Sequence, residues 1–364
     1  MPGFIDSHIH YPQYKVISSY GSSLLEWLNK YTFVEEQKFS DNEYAAKIAE
    51  LFLDELIKNG TTTAMTFCTS HKQSVDVFFT AAEKRNMRMI AGKVMMDRNA
   101  PADLCDDIDS SYADSKSLIE KWHNKGRLSY AVTPRFAPTS TEGQLTQAAK
   151  LLTEHPDILL QTHLNENSEE IAWVKELYPE SRNYFDVYDK HGLSGPNSVF
   201  GHCIYNTVEE YKRMAETSSK VALCPASNLF LGSGLFNLDE LEGYGIDVAL
   251  ASDVGGGDSF SMFNVMSQAY KVCRLNGYNL DPVKAFYLTT LAAAKILGVD
   301  ERIGNFEPDK EADFIVLDLN ATELITQKMQ TVKDISDLLF SLMMLGDDRL
   351  VNEVYILGQC AYKK

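Results

Sequence analysis

The sequence predicts an α/β protein built as a (β/α)8 TIM-type barrel, followed by a small C-terminal β appendage that forms a partial β-sandwich. Eight short apolar or β-branched runs alternate with segments of helical periodicity. They extend over about 250 residues, the usual size of such a barrel. The alternative, a doubly wound open sheet, would need a glycine-rich phosphate turn after its first strand, and no such turn follows the opening run.

The predicted strands follow one another along the chain in a regular order. They are "GFIDSHIH", "TTTAMTF", "RMIAGKVMM", "LSYAVTPRF", "ILLQTHL", "SVFGHCI", "VALCPAS" and "DVALASD". Helical periodicity between them is clearest over residues 42–58, 141–154, 168–177 and 207–216. We therefore assign residues 1–303 to the barrel. Residues 304–364 form the appendage, in which "DISDLLFSLMML" is a helical insertion between short β segments.

Composition and charge exclude several classes of partner. The chain has 364 residues and a formal net charge of −17, so its surface repels phosphate backbones and anionic lipid. Neither a membrane-spanning run nor a charged-then-apolar leader is evident. The six cysteines are scattered singly, without a CxxC pair, as in reduced cytosolic proteins. We expect a cytoplasmic protein that binds neither nucleic acid nor membranes.

Polar residues gather at the predicted C-terminal ends of the strands, where the catalytic residues of such barrels lie. The first strand ends with His8 and His10, and residues i and i+2 of a strand point to the same side. Their two imidazoles should therefore face one small volume. The other strand-end residues are Thr133, Arg135 and Phe136 in "TPRF", His163 and Glu166 in "THLNEN", His202 in "FGHC", Ser227 and Asn228 in "CPASN", and Asp253 in "SDVGGG".

Imidazoles and a carboxylate at these positions favour a catalytic metal site. Three imidazoles with one carboxylate suit Zn²⁺ or Fe²⁺ and leave one position for water. A bridging lysine, common at the fourth strand of binuclear sites, is replaced here by Arg135, which favours a single metal. Two structural alternatives compete: a lone His8 or His10 fits a satisfied core histidine, and Asp253 fits a helix N-cap before "GGGDS".

The remaining histidines carry less weight. His202 stays open between a ligand to a second metal, a hydrogen-bond donor beside the ligands, and a packing residue. Four others, His71, His123, His155 and His191, fall in loops or helical segments and are expected to have no chemical role. Among these, His71 in "CTSH" after the second strand is the one most worth testing.

Several motifs together resemble the amidohydrolase superfamily in its mononuclear deaminase branch. "PGFIDSHIH", "THLNEN", "FGHC" and "ASDVGGG" carry the general resemblance, while "HIHYPQY", "LLEWLNKYTF", "TPRFAP", "CPASNLFLGSG" and "SDVGGGDSFSM" are similar to the guanine deaminase family. The resemblance covers nearly the whole chain, in order. In that family β structure precedes the HxH strand and pairs with the C-terminal strands. No counterpart of it stands before Pro2, so we expect an unpaired edge on the appendage.

The resemblance implies a role for each strand-end residue. His8, His10, His163 and Asp253 would bind one Zn²⁺ per chain, with Fe²⁺ as the alternative. Glu166 would shuttle protons between water, a ring nitrogen and the departing amine, and its structural alternative is a solvated carboxylate at a helix start. His202 would hydrogen-bond the attacked oxygen and, with Asp253, orient the attacking hydroxide. The implied reaction converts guanine and water to xanthine and ammonia.

Substrate recognition is expected from the same strand ends. Arg135 offers a rigid set of donors for the O6 and N7 edge of guanine, Gln13 offers an amide, and Phe136 offers a ring to pack on the purine. His163, Glu166 and Asp253 complete the predicted contacts. A purely structural role is the alternative for three of these residues: a salt bridge for Arg135, a loop hydrogen bond for Gln13 and core packing for Phe136.

Two other functions compete with this interpretation. One is a related amidohydrolase acting on another aminated heterocycle, such as cytosine, an adenine-type base or S-adenosylhomocysteine. The other is a catalytically silent barrel that serves as a scaffold, although such a protein should have lost ligands. The deaminase fold with an HxE…PCxxC zinc site is excluded because "LCPAS" lacks the second cysteine. Family membership further implies a homodimer.

Overall fold

The computed structural model describes residues 1–21 and 23–364. The strands in these residues are β1 (Phe4–His10), β2 (Thr61–Phe67), β3 (Arg88–Gly92), β4 (Val94–Met95), β5 (Ser129–Pro134), β6 (Leu159–Leu164), β7 (Ser198–His202), β8 (Lys220–Leu223), β9 (Val248–Leu250), β10 (Phe314–Leu317), β11 (Val351–Ile356) and β12 (Gln359–Lys363).

The α-helices surround the strands or connect them. In the described residues they are α1 (Leu24–Trp27), α2 (Phe33–Glu36), α3 (Asn42–Lys58), α4 (Lys72–Lys84), α5 (Ile108–Trp122), α6 (Glu142–Glu154), α7 (Ser168–Leu177), α8 (Tyr184–Lys190), α9 (Val208–Thr217), α10 (Pro225–Phe230), α11 (Leu238–Gly243), α12 (Met262–Leu275), α13 (Pro282–Leu288), α14 (Leu291–Ile296), α15 (Glu323–Met329) and α16 (Ile335–Leu345). A π-helical turn, Leu28–Thr32, joins α1 to α2.

The main sheet is a parallel barrel, as the sequence predicts. Its strands follow the order β1-β2-β3-β5-β6-β7-β8-β9, and the two-residue β4 pairs with β5. Hydrogen bonds between the end of β1 and the segment after β9 close the ring. The Asp253 N–H donates to the His8 carbonyl at 3.0 Å, and the His10 N–H donates to the Val254 carbonyl at 2.9 Å. The predicted (β/α)8 fold is confirmed.

The predicted helices form because capping and an apolar face agree. In α3, Asp41 accepts from the first backbone N–H groups, while Phe52 and Leu56 are buried on the inner face. The helices α7 and α9 each begin with a capping box, through Asn167 and Thr207 respectively. All four predicted helices are present, with ends that agree to within one residue.

Several strands are shorter than their predicted runs, among them the eighth, in which only Val248–Leu250 is a strand. The third run divides into β3 and β4, because Lys93 interrupts it. The seventh run ends at Leu223, and Pro225 then begins α10 at its first turn, a position that suits proline. The prediction that Ser227 and Asn228 lie at a strand end is therefore wrong, since both residues are helical.

The C-terminal appendage is an antiparallel sheet in the order β10-β11-β12. The chain start runs along β10, where the Ile315 N–H donates to the Met1 carbonyl at 2.9 Å and the Gly3 N–H donates to the Asp313 carbonyl at 3.0 Å. Strand β12 forms the other edge, and most of its side chains are exposed. Helix α16 packs on α12 of the barrel. The division at residues 303 and 304 stays a prediction.

Two general expectations can be compared with the fold. The six cysteines are free thiols, which agrees with the absence of a disulfide framework in the sequence. Among residues 1–21 and 23–364, no helix is both long enough and apolar enough to cross a membrane.

Candidate active site and metal centre

Four histidines and one aspartate converge at the C-terminal mouth of the barrel. The ligand atoms of His8, His163, His202 and Asp253 all lie within 4.8 Å of one another. His10 adjoins this group, because its Nε2 is 3.3 Å from His8 Nε2 and 3.2 Å from Asp253 Oδ1. The sequence-predicted ligands are therefore together, and His202 lies among them.

The backbone aims these side chains at one point. His8 and His10 share a face of β1, as the period of a strand requires. His163 and His202 come from the ends of β6 and β7, which are neighbours in the sheet. His202 and Asp253 adopt positive φ angles of 69° and 50°. Such conformations cost of order 1–3 kcal/mol and cluster at functional sites.

Low pKa values keep the imidazoles of His8, His10 and His163 neutral, so each ring has a lone pair that can bind a metal. Burial lowers the pKa of His10 to about 3, and it also lowers the pKa of His8. Burial, with the neighbouring imidazoles, holds the pKa of His163 well below its usual range. The carbonyl of Arg135 accepts from His163 Nδ1 at 2.7 Å, so the lone pair of that ring lies on Nε2.

Asp253 supplies the negative charge of the group. Burial by itself would raise its pKa, but hydrogen bonds from His10 and His8 outweigh burial and hold the pKa well below its usual range. The carboxylate is therefore ionised among neutral imidazoles, which is the protonation state that metal binding requires.

The spacing and chemistry of these donors fit a divalent cation. Donors about 2.1 Å from a tetrahedral ion lie about 3.4 Å apart. The corresponding distances are 3.4 Å for His8 Nε2 to Asp253 Oδ1 and 3.2 Å for His10 Nε2 to Asp253 Oδ1. His202 Nε2 is buried and has no hydrogen-bond partner in the described chain, while its Nδ1 donates to Asn228 Oδ1 at 2.9 Å.

Glu166 faces the same centre from the loop after β6. Its Oε2 lies 3.4 Å from His202 Nε2, and its Oε1 accepts from Ser233 Oγ at 3.0 Å. Burial, together with the charge of Asp253, raises the pKa of Glu166 to about 8. A carboxyl group with such a pKa exchanges protons near neutral pH. The predicted solvated alternative does not hold, because Glu166 is only 3% exposed.

A pocket opens directly above these groups. It encloses about 390 Å³, including its open mouth, and its walls carry the three predicted recognition residues. The lining residues are His10, Gln13, Leu24, Trp27, Leu28, Arg135, Phe136, His163, Glu166, Leu231, Asp253 and Gly256. Five of these side chains are apolar and six are polar or charged, and apolar walls with convergent polar groups are typical of small-molecule sites.

Arg135, Gln13 and Phe136, the predicted recognition residues, also make the salt bridge, the loop hydrogen bond and the packing contact that were their structural alternatives. Arg135 Nη1 donates to Glu36 Oε2 at 2.7 Å, and Gln13 Oε1 accepts from the Gly255 N–H at 3.0 Å. The Gln13 amide N–H₂ makes no hydrogen bond with the described residues, and Gln13 lines the pocket. The Phe136 ring packs beside Trp173, with ring centroids 6.5 Å apart.

Some predicted strand-end residues lie elsewhere. Thr133 points into the barrel, where it donates to the Ala131 carbonyl and accepts from Gln161.

The histidines predicted to have no chemical role lie outside the pocket lining. His71 precedes α4, and its Nδ1 is 3.1 Å from Thr69 Oγ1. His123 pairs with Asp157, and His191 Nδ1 donates to the Val187 carbonyl.

Other site residues were not predicted from the sequence. Ser233 contacts Glu166, and Glu36 contacts Arg135, although neither residue ends a strand. Trp27 belongs to "LLEWLNKYTF", a motif that resembles the guanine deaminase family but contains no predicted site residue. That motif was the available signal for the apolar wall of the pocket.

Comparison with known proteins identifies the class of protein. A family model described as "Amidohydrolase family" matches residues 1–360. The chain belongs to the amidohydrolase family.

Within that family the chain belongs to the guanine deaminases. It is 51% identical over 364 residues to the guanine deaminase of Escherichia coli (strain K12), covering 100% of this chain and 83% of that protein. The solved structure of E. coli guanine deaminase superposes with a TM-score of 0.98 at 52% identity, covering 100% of this chain and 84% of that one. A guanine deaminase from C. acetobutylicum with guanine bound in its active site superposes with a TM-score of 0.93 at 33% identity, covering 100% and 86%.

Proposed function

We propose that this protein hydrolyses guanine to xanthine and ammonia at the centre formed by His8, His10, His163, His202 and Asp253. The observation that carries the proposal is the position of this donor set at the floor of a pocket with Arg135 and Gln13 in its walls. Membership of the guanine deaminases supports guanine as the substrate.

The donor set accounts for activation of water. We propose His8, His10, His163 and Asp253 as the ligands of one Zn²⁺ per chain, with Fe²⁺ as the alternative. A divalent cation bound there supplies a Lewis acid, which lowers the pKa of water and makes it a nucleophile at neutral pH. His202 Nε2 lies 3.7 Å from Asp253 Oδ2 and faces the same space, where it stabilises the oxygen that is added to the purine.

Glu166 moves the protons. It takes a proton from the attacking water and delivers it to a ring nitrogen as the new C–O bond forms. It then takes the hydroxyl proton and delivers it to the amino group, so that the C–N bond breaks and ammonia leaves. Burial and Asp253 raise its pKa to about 8 in the metal-free chain, and a bound cation would lower that pKa toward the pH at which the carboxylate accepts a proton.

Arg135, Gln13 and Phe136 select the purine. Arg135 presents guanidinium donors to the O6 and N7 edge, Gln13 donates from its free amide, and the Phe136 ring packs against the flat base. Replacing Arg135 with alanine should raise KM for guanine. An unchanged kcat/KM in R135A would remove Arg135 from this role.

We also propose a homodimer located in the cytoplasm. The dimer follows from the resemblance to deaminases of this branch, and size-exclusion chromatography with light scattering measures it directly.

Ammonia release from a panel of guanine, cytosine, adenine and S-adenosylhomocysteine tests the function, with Zn²⁺ supplied. Ammonia from guanine alone, at a rate that scales with bound metal, supports the proposal. Release from another member of the panel and not from guanine would favour the related amidohydrolase. Well under one equivalent of bound metal after gentle purification, without turnover, would favour the silent scaffold.

A further inference from the structure

Arg135 is held in the pocket wall by a buried carboxylate from a distant part of the chain. Glu36 is fully buried at the end of α2, and its Oε2 accepts from Arg135 Nη1 at 2.7 Å. The guanidinium also lies over the Phe33 ring, 5.3 Å from the ring centroid. Two residues of one short helix therefore hold the Arg135 side chain: Glu36 pairs with its positive charge, and Phe33 packs against the plane of its guanidinium.

This pairing leaves part of the guanidinium for a ligand. A guanidinium has five N–H donors, and Glu36 takes one at Nη1. Oε1 of Glu36 has no hydrogen-bond partner among the described residues, so the carboxylate holds Arg135 through one oxygen. A buried arginine without its carboxylate would be an uncompensated charge and would reorient toward other acceptors.

The main chain of Arg135 is fixed independently of Glu36. Its carbonyl accepts from His163 Nδ1 at 2.7 Å and from Thr162 Oγ1 at 3.2 Å. A change at Glu36 should therefore move the guanidinium without displacing His163. Recognition can then be separated from metal binding.

We propose that Glu36 is a positioning residue that sets the preference for 6-oxopurines by orienting Arg135 toward the oxo group. This inference rests on the proposed function, because it assumes that the pocket takes a purine. A purine without an acceptor at position 6 would leave the fixed donors of Arg135 unpaired in a buried site, which costs binding.

Binding of two non-reacting purines tests the inference separately from turnover. Hypoxanthine has the 6-oxo group and lacks the 2-amino group, whereas unsubstituted purine lacks both. Their Kd values are measured by calorimetry on the zinc-loaded full chain of the wild type and of E36Q. Wild-type protein should prefer hypoxanthine, and in E36Q that preference should fall about tenfold while the Kd of unsubstituted purine changes less than threefold.

Glu35 provides a matched control in the same helix. It is also buried, but it binds Lys38 and Tyr44 and makes no contact with Arg135. E35Q should keep the wild-type preference, and E36D, which retains the charge, should lose less of it than E36Q. With guanine, E36Q should raise KM about tenfold and change kcat less than threefold.

The possible outcomes separate the inference from the proposed function. An unchanged hypoxanthine preference in E36Q, or an equal loss in E35Q, would overturn the role of Glu36 even if guanine is deaminated. If wild-type protein prefers hypoxanthine and E36Q loses that preference, but the wild type releases no ammonia from guanine, the proposed function fails and the role of Glu36 stands. If neither purine binds the wild type, the role assigned to Glu36 is overturned, and ammonia release from guanine alone then decides the proposed function.

Discussion

Gly201 provides the sharpest test of the candidate metal centre, because it lies directly against His8. A Cβ added at Gly201 would lie 2.7 Å from His8 Cε1 and 2.9 Å from His8 Nδ1, whereas ordinary contacts begin near 3.4 Å. To reach ordinary contact in G201A, the imidazole and the residue 201 backbone must therefore move apart by about 0.7 Å. The imidazole has little room to do so, because the Phe67 and His163 rings each lie 4.7 Å from it, centroid to centroid.

Displacement of His8 should lower both the rate of the reaction and the stability of the fold. Misplacing a reacting group by about 1 Å costs about a hundredfold in rate, so a displaced His8 should lower kcat/KM for guanine about 10- to 100-fold. Overpacking should lower the free energy of unfolding by about 1–3 kcal/mol. Zinc affinity, measured by competition with a chromophoric chelator, should fall in parallel with kcat/KM.

Gly243 is the control for the glycine substitution itself. An alanine Cβ at this last residue of α11 meets nothing within 4 Å, so G243A should keep wild-type activity and zinc affinity. If G201A instead matches the wild type in both measurements, His8 either tolerates the displacement or does not bind the metal. Either explanation would refute the expected dependence of activity on the position of His8.

Four further predictions concern the same centre. E166Q should lower kcat about 10²- to 10⁴-fold while zinc content, measured by atomic absorption, stays at the wild-type level; equal loss of zinc would argue against a proton-shuttle role. H163A should lower kcat/KM at least a hundredfold and H71A less than threefold in the same ammonia assay, since only His163 faces the donor set. Removing the metal with a chelator should abolish turnover and lower the thermal midpoint, and added Zn²⁺ should restore both. In metal-free protein Glu166 keeps its proton up to a pKa of about 8 while the unfolded chain loses it near 4.5, so the free energy of unfolding should fall as pH rises through that window, and E166Q should reduce the slope in urea titrations.

The sequence was sufficient for those features that depend on short-range periodicity. The i, i+2 spacing of His8 and His10 placed both rings on one face of a strand, and the rule that parallel strands end at one edge brought in His163 and Asp253. The rule that site residues lie at strand ends failed for Ser227 and Asn228, because β8 ends earlier than the predicted run. Because Pro225 starts a helix two residues after β8 ends, Asn228 reaches His202 from the second turn of α10.

Contacts between distant residues could not be read from the chain. Glu36 lies 99 residues from Arg135, and nothing local distinguishes it from Glu35, which faces another way. The close approach of Gly201 to His8 likewise depends on how β7 and β1 lie across the barrel interior. Periodicity predicts which face a side chain occupies, but a contact of this kind requires the packed tertiary structure.

The closure of the barrel and the geometry of the metal centre depend on the same short segments. Between β9 and β1, the Ser252 N–H donates to Asp6 Oδ1 at 3.0 Å, beside the Asp253-to-His8 and His10-to-Val254 backbone bonds. The seam of the barrel is thus held by His8, His10 and Asp253, which are proposed metal ligands, and by residues within two positions of them. A cation shared by His8, His10 and Asp253 would join both sides of that seam, so metal binding should stabilise the closed barrel as well as activate water.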